Sequence, residues 1–198
     1  MSEFTVYFTV GLKHVLNTQA YDHVLFLMAL SAGYAFKDWK RLLLLVSVFT
    51  LGHTLALFLS VFGWLSIDST LVEFCIPLTI LFTAVANFFS FKKSNGKQTM
   101  MVGFVVTVLF GLIHGLGFSN YFKALLPGTA SDKIFPLLEF ALGIEGAQAT
   151  VVLTMLILSY IARTFFKCSN RDFIMVISAF IVGVTLPMIL SSEFLKNL

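Results

Sequence analysis

Short clusters of charged and turn-forming residues divide the chain into long apolar runs. A bilayer hydrocarbon core of about 30 Å needs roughly 20 helical residues per crossing. Stretches free of Lys, Arg, Asp and Glu mark such crossings. The first, Val24 to Phe36, reaches spanning length when it is begun near Gln19. Leu42 to Ile67, Phe74 to Phe91 and Gln98 to Phe122 follow. Ile134 to Ala162 is interrupted by Glu139 and Glu145, and Phe173 to Ser192 closes the pattern. The runs predict six transmembrane helices, near residues 20–36, 42–64, 70–91, 98–122, 134–162 and 173–192, in one integral membrane domain over 1–198. Segment 4–17 is apolar but short and contains Lys13, which predicts an interfacial or re-entrant helix. Asn17, Thr18 and Gln19 then supply turn and cap chemistry. The expected fold is an all-α polytopic membrane helix bundle.

Composition removes the alternatives. Apolar residues make up 58% of the chain, charged residues 12%, and the mean hydropathy is +0.93, whereas a soluble domain carries about 25% charged residues. A soluble fold of this length has no core large enough to hide such a surface, and disorder requires the opposite balance. The net charge of +3 is too small to imply a nucleic-acid partner. Cys75 and Cys168, far apart and outside any CxxC, indicate neither a disulfide scaffold nor a zinc knot. Met1-Ser2-Glu3-Phe4 lacks the basic region of a secretory signal, so the N-terminus is expected to be retained.

The cations fix the expected orientation. Lys37, Lys40 and Arg41, then Lys92, Lys93 and Lys97, then Arg163, Lys167 and Arg171 place nine of the 13 Lys and Arg between alternate pairs of spans. The positive-inside rule makes those loops cytoplasmic and puts both termini outside. The expected location is a bacterial inner membrane. Trp39 and Trp64 sit near opposite ends of the second span, as interfacial aromatics do. A weak internal echo joins Phe49-x-Leu51-x-His53-x-Leu55 to Phe110-x-Leu112-x-His114-x-Leu116.

The chemistry lies in residues that lipid does not tolerate alone. All four histidines, His14, His23, His53 and His114, lie in or beside apolar segments, with Asp22, Glu73 and Glu145. Gln148 shares a helical face with Glu145. A carboxylate at mid-bilayer costs several kcal/mol unless paired, protonated or bound to a cation. At 1.5 Å rise per residue, Asp22 and His23 open the first span at the outer face, and Glu73 and His114 lie about 6 Å below it. His53 and Glu145 fall within a few Å of the centre. Imidazole with carboxylate suits a divalent transition metal (Ni, Co, Zn, Fe or Cu), whereas Ca²⁺ or Mg²⁺ favours an oxygen shell. Thr50 and Thr54 are placed to orient the His53 ring. Gly111, Gly115 and Gly117, and Gly143, Gly146 and Ala147, allow helices to approach closely around His114 and Glu145. Bland readings stand beside these. Asp22 also suits a helix cap, His14 an interfacial hydrogen bond, and the Phe residues lipid contact and core.

Gly11-x-x-His14 followed by Asp22-His23-x-Leu25-Phe26-Leu27 resembles the start of the HupE/UreJ family of hydrogenase and urease accessory membrane proteins. The later landmarks occur in order. They are Phe49-Thr50-x-x-His53-Thr54-Leu55-Ala56-Leu57, Glu73, Phe110-Gly111-Leu112-Ile113-His114-Gly115-Leu116-Gly117-Phe118 and Phe140-x-x-Gly143-Ile144-Glu145-x-x-Gln148. The resemblance covers about positions 11 to 148. It implies a nickel permease-like role, with His23, His53, His114, Glu73 and Glu145 as polar site positions and Asp22 and His14 beside the first. Ala141 stands where the family usually has Asn, and Ala147 where Gly commonly precedes the Gln, which puts metal identity or affinity in question.

Two functions follow as expectations. One is a transition-metal permease that loads at Asp22 and His23 and passes the ion by Glu73 and His114 to His53, Glu145 and Gln148. The other is an intramembrane zinc-type hydrolase or other metalloenzyme, although neither HExxH nor HxxxH is present. Expected partners are the metal ion and the lipid bilayer, and a homo-oligomer is left open.

Overall fold

Helical structure begins where the Ser2 hydroxyl accepts a hydrogen bond from the Thr5 amide at 3.4 Å, one of the orphan donors at a helix start. The computed structural model describes residues 2–17, 21–89, 96–126 and 131–197. Its helices are α1 Glu3–Leu16, α2 Asp22–Ser31, α3 Trp39–Val61, α4 Ser69–Phe89, α5 Gly96–Leu125, α6 Ile134–Thr164, α7 Asn170–Leu190 and α8 Glu193–Lys196. Among the described residues there is no strand. Five helices are long and apolar enough to cross a membrane, within Phe36–Val61, Ser69–Phe89, Gly103–Leu125, Ile134–Thr164 and Asn170–Leu190. The chain is an integral membrane helix bundle.

The expected first span differs. The charge-free run reaches Phe36, but α2 stops at Ser31, after ten residues. At 1.5 Å per residue that is about 15 Å, half a bilayer core. The Ser31 hydroxyl donates back to the Leu27 carbonyl at 2.5 Å, and Ala32 and Gly33 turn the chain. The Asp38 carboxylate then accepts the Ala35 amide at 3.2 Å to start the next turn. Lys92, Lys93, Thr18 and Gln19 lie outside the described residues.

Two of the expected loop cations, Arg41 and Arg163, meet at one end of the bundle. Arg163 Nη2 donates to the Tyr34 carbonyl at 3.5 Å, and the Arg163 guanidinium stands 5.8 Å from the Phe173 ring centroid. Arg41 lies 5.9 Å from the Tyr34 ring. The ends of α2 and α6 and the starts of α3 and α7 therefore share one basic rim.

Two close helix pairs position the interior. Helices α3 and α5 run parallel. A Cβ built on Gly111 would fall 2.3 Å from the Phe49 carbonyl oxygen, and one on Gly52 would fall 2.5 Å from that of Val108. Only a missing side chain permits this approach, as between membrane helices generally. The two segments of the internal echo thus lie side by side. Helix α1 packs antiparallel on α6 in the same manner, with Gly11 against Phe140 and Gly143 against Phe8, while the Phe8 ring reaches Gly146. Segment 4–17 is accordingly held against α6, its C-terminal end turned away from the basic rim. A buried core of Leu25, Phe26, Leu27, Val46, Phe49, Phe140 and Ile144 joins α2, α3 and α6.

Candidate metal centre

Four helices each bring one histidine to the same place: His14 from α1, His23 from α2, His53 from α3 and His114 from α5. Ring centroids are 4.6 Å apart for His14 and His23, 5.5 Å for His14 and His53, 5.5 Å for His23 and His53, and 5.1 Å for His23 and His114. One ligand nitrogen from each of His14, His23 and His53 falls within 4.8 Å of the other two. Ring rotation closes that spacing onto one ion with metal–nitrogen bonds of about 2.0–2.1 Å. His53 is fully buried, and His23 and His114 are each 1% exposed.

Hydrogen bonding leaves nitrogens free in this group. Nδ1 of His114 lies 2.8 Å from the Phe110 carbonyl, so it carries the proton and Nε2 keeps its lone pair. Nδ1 of His23 faces the Asp22 carboxylate at 3.2 Å, which leaves Nε2 of His23 in the same state. The buried Nε2 atoms of His14, His23 and His114, and both ring nitrogens of His53, have no hydrogen-bond partner among the described residues. Buried polar atoms are ordinarily satisfied, and a place for a bound ion is one standard reason for a cluster that is not. A carboxylate or backbone carbonyl behind a ligating imidazole is also the usual support for metal binding. The residues therefore fit a divalent transition metal through nitrogen.

Aromatic rings dry this centre. Phe118 stands 3.8 Å from the His14 ring, Phe49 5.2 Å and Phe26 5.5 Å from His114, and Phe140 5.7 Å from His14. Reading the phenylalanines only as lipid contact and core missed this role. The available signal was the spacing of Phe49 four residues before His53 and of Phe110 and Phe118 four residues either side of His114, which shares a helix face.

The descending series of depths expected from sequence is not what the fold shows. The His23 ring stands 5.5 Å from that of His53 and 5.1 Å from that of His114, because α2 runs only ten residues back from the basic rim and so starts inside the bundle. Asp22 stands behind His23. Glu145 is half-buried and accepts a hydrogen bond from the Ser47 hydroxyl. Ser47 precedes His53 by six residues, or about 9 Å along α3. Gln148 is fully buried, and its Oε1 accepts from Thr50 Oγ1 at 2.8 Å, about 4.5 Å along α3 from His53. Glu145 and Gln148 thus form a second polar layer on the basic-rim side of the histidines. Thr50 does not orient His53 as expected. Its hydroxyl is engaged by Gln148 and by the Val46 carbonyl at 3.2 Å. Ser47 was not singled out in the sequence.

Glu73 does not join the group. It is exposed and lines a separate cleft of about 270 Å³ with Thr70, Pro77, Met188, Ser191, Ser192 and Glu193. The α4 face that meets α5 is the one bearing Val72 and Ile76, which Gly117 contacts. Glu73 therefore turns toward the end of α7.

Residues 1–192 match the family described as HupE / UreJ protein. No curated protein and no solved structure matches the chain. The match runs over nearly the whole length and includes every helix that brings a histidine to the centre, and the chain belongs to the HupE/UreJ family.

Proposed function

We propose that this protein is a permease for Ni²⁺ or a similar divalent transition metal, with the histidine cluster as the site that receives the ion inside the membrane. The observation that carries the reading is the set of buried, unpartnered ring nitrogens on His14, His23, His53 and His114. A purely structural polar cluster would have satisfied those atoms with one another or with backbone. Nitrogen donors favour Ni, Co, Zn, Fe or Cu over Mg²⁺ and Ca²⁺. Membership of the HupE/UreJ family, whose resemblance implies a nickel permease-like role, agrees with this chemistry.

In this reading the cation is the substrate. The imidazoles replace its water ligands, and Asp22 holds His23 in the tautomer that presents Nε2. Glu145 and Gln148, one to two turns nearer the basic rim, offer oxygen ligands for the next step. Glu73, in its separate cleft, takes no part in the histidine site. Movement arises from rocking of helix pairs around the site, as in other transporters. The basic rim faces the cytoplasm of a bacterial inner membrane, by the positive-inside rule.

The test is uptake of radioactive nickel, cobalt or zinc by cells expressing the protein, alongside His53→Ala and His114→Ala. The expected result is accumulation in the wild type, reduced at least about tenfold in each variant, the scale on which losing one buried ligand acts. Equal accumulation by all three proteins overturns the reading.

A further inference from the structure

The His14 ring forms part of the wall of a cleft of about 650 Å³ whose other lining residues are Val10, Lys13, Asn17, Phe118 and Tyr121. The cleft opens at the end of the bundle away from the basic rim, where α1 and α5 both finish. Its volume far exceeds one hydrated ion's need, given that a water occupies about 30 Å³. Among its described lining residues the sole formal charge is the Lys13 ammonium, and no carboxylate is present. Lys13 is exposed and, among the described residues, has no ion pair. A mouth that gathers a bare dication gains from acidic walls, since clefts concentrate ions of opposite charge. This mouth does the reverse. Its ammonium and phenol groups instead suit an anion that carries several oxygen acceptors.

We propose that the cleft receives the metal as a carboxylate chelate, and that Lys13 is the residue that determines this specificity. The inference rests on the permease reading. The chelate docks with a carboxylate on Lys13, which places the metal against the His14 ring, whose buried Nε2 has no partner among the described residues. Transfer is ligand exchange. Metal–oxygen bonds to the chelator break, metal–nitrogen bonds to neutral imidazoles form, and the chelator leaves as its anion with its own lone pairs. No proton or electron is consumed.

The experiment measures uptake of radioactive nickel into proteoliposomes holding the full chain, supplied as free ion or with excess citrate, for wild type, Lys13→Glu and Lys13→Gln. Wild type is expected to take up nickel citrate at least about tenfold faster than the residual free nickel accounts for, a modest value for electrostatic steering. Lys13→Glu should lower citrate-dependent uptake by about the same factor while free-ion uptake rises, with Lys13→Gln intermediate. Opposite changes in the two substrates exclude simple misfolding. Uptake that follows free nickel alone in the wild type overturns the inference and leaves the permease reading standing. So do parallel changes in both substrates across the variants. Absence of wild-type uptake in either form ends both.

Discussion

Asp22 holds His23 at two points. Its Oδ1 lies 3.2 Å from the His23 Nδ1 and accepts the His23 backbone amide at 2.9 Å. The carboxylate therefore satisfies one orphan amide in the first turn of α2 and sets which ring nitrogen faces the other histidines. A helix-capping role alone would affect stability, whereas a tautomer-setting role affects ligation. Asp22→Ala is expected to weaken nickel binding by about 10–100-fold, the usual cost of losing such a supporting carboxylate. Titration of purified protein against a chromophoric chelator reads this directly. Unchanged affinity with lowered thermal stability would leave Asp22 as a cap only.

The contact of Gly111 with Phe49 makes the centre sensitive to a single methyl group. Gly111→Ala would drive a Cβ to 2.3 Å from a backbone oxygen, and backbone cannot rotate away as a flexible side chain can. Overpacking of this kind costs about 1–3 kcal/mol or more. Separating α3 from α5 also separates His53 from His114. Thermal unfolding in detergent should show a lower midpoint, together with weaker metal binding. Gly183→Ala, where nothing lies within 4 Å of the new Cβ, is the control that should leave metal binding within error and the midpoint no lower, Ala being the better helix former.

The bundle was legible because lipid imposes a simple rule, that each crossing be apolar and long. That rule identified the five long helices and failed at Val24 to Phe36, where absence of charge says nothing about where a helix stops. Ser31 and Gly33 decide that, through local hydrogen bonding and turning. The metal-binding residue types were legible because imidazole is rare in apolar helices. Their convergence was not, because depth was counted from a first span reaching Phe36, whereas α2 ends at Ser31. Glu73 shows the remaining limit. Its depth was estimated from sequence, but the face of α4 that meets α5 is settled by Val72, Ile76 and Gly117 in three dimensions.

Thr50 and Gln148 provide a test of whether the second polar layer is structural. Thr50→Val removes the donor to a fully buried amide, and an unsatisfied buried group costs about 1–3 kcal/mol. The double variant Thr50→Val with Gln148→Leu removes both partners and should recover much of that stability in chemical unfolding. Nickel uptake should not recover, because Gln148 is then absent as an oxygen donor. Joint recovery of stability and uptake would make the pair a packing device.

Glu145 separates binding from movement. Its partner Ser47 lies six residues, about 9 Å, before His53 along α3, which places the carboxylate in a layer apart from the imidazoles. In a resting site built on imidazole, Glu145→Ala should leave nickel affinity within about threefold of wild type, since well-separated positions act nearly independently. His53→Ala should lower that affinity at least about tenfold, as a lost ligand does. Uptake should fall in both variants, because an ion that leaves the histidines needs an oxygen acceptor nearer the basic rim. The two variants thus diverge in equilibrium binding and converge in transport. If Glu145→Ala weakens binding as much as His53→Ala, the carboxylate belongs to the same coordination sphere, and the two layers act as one site.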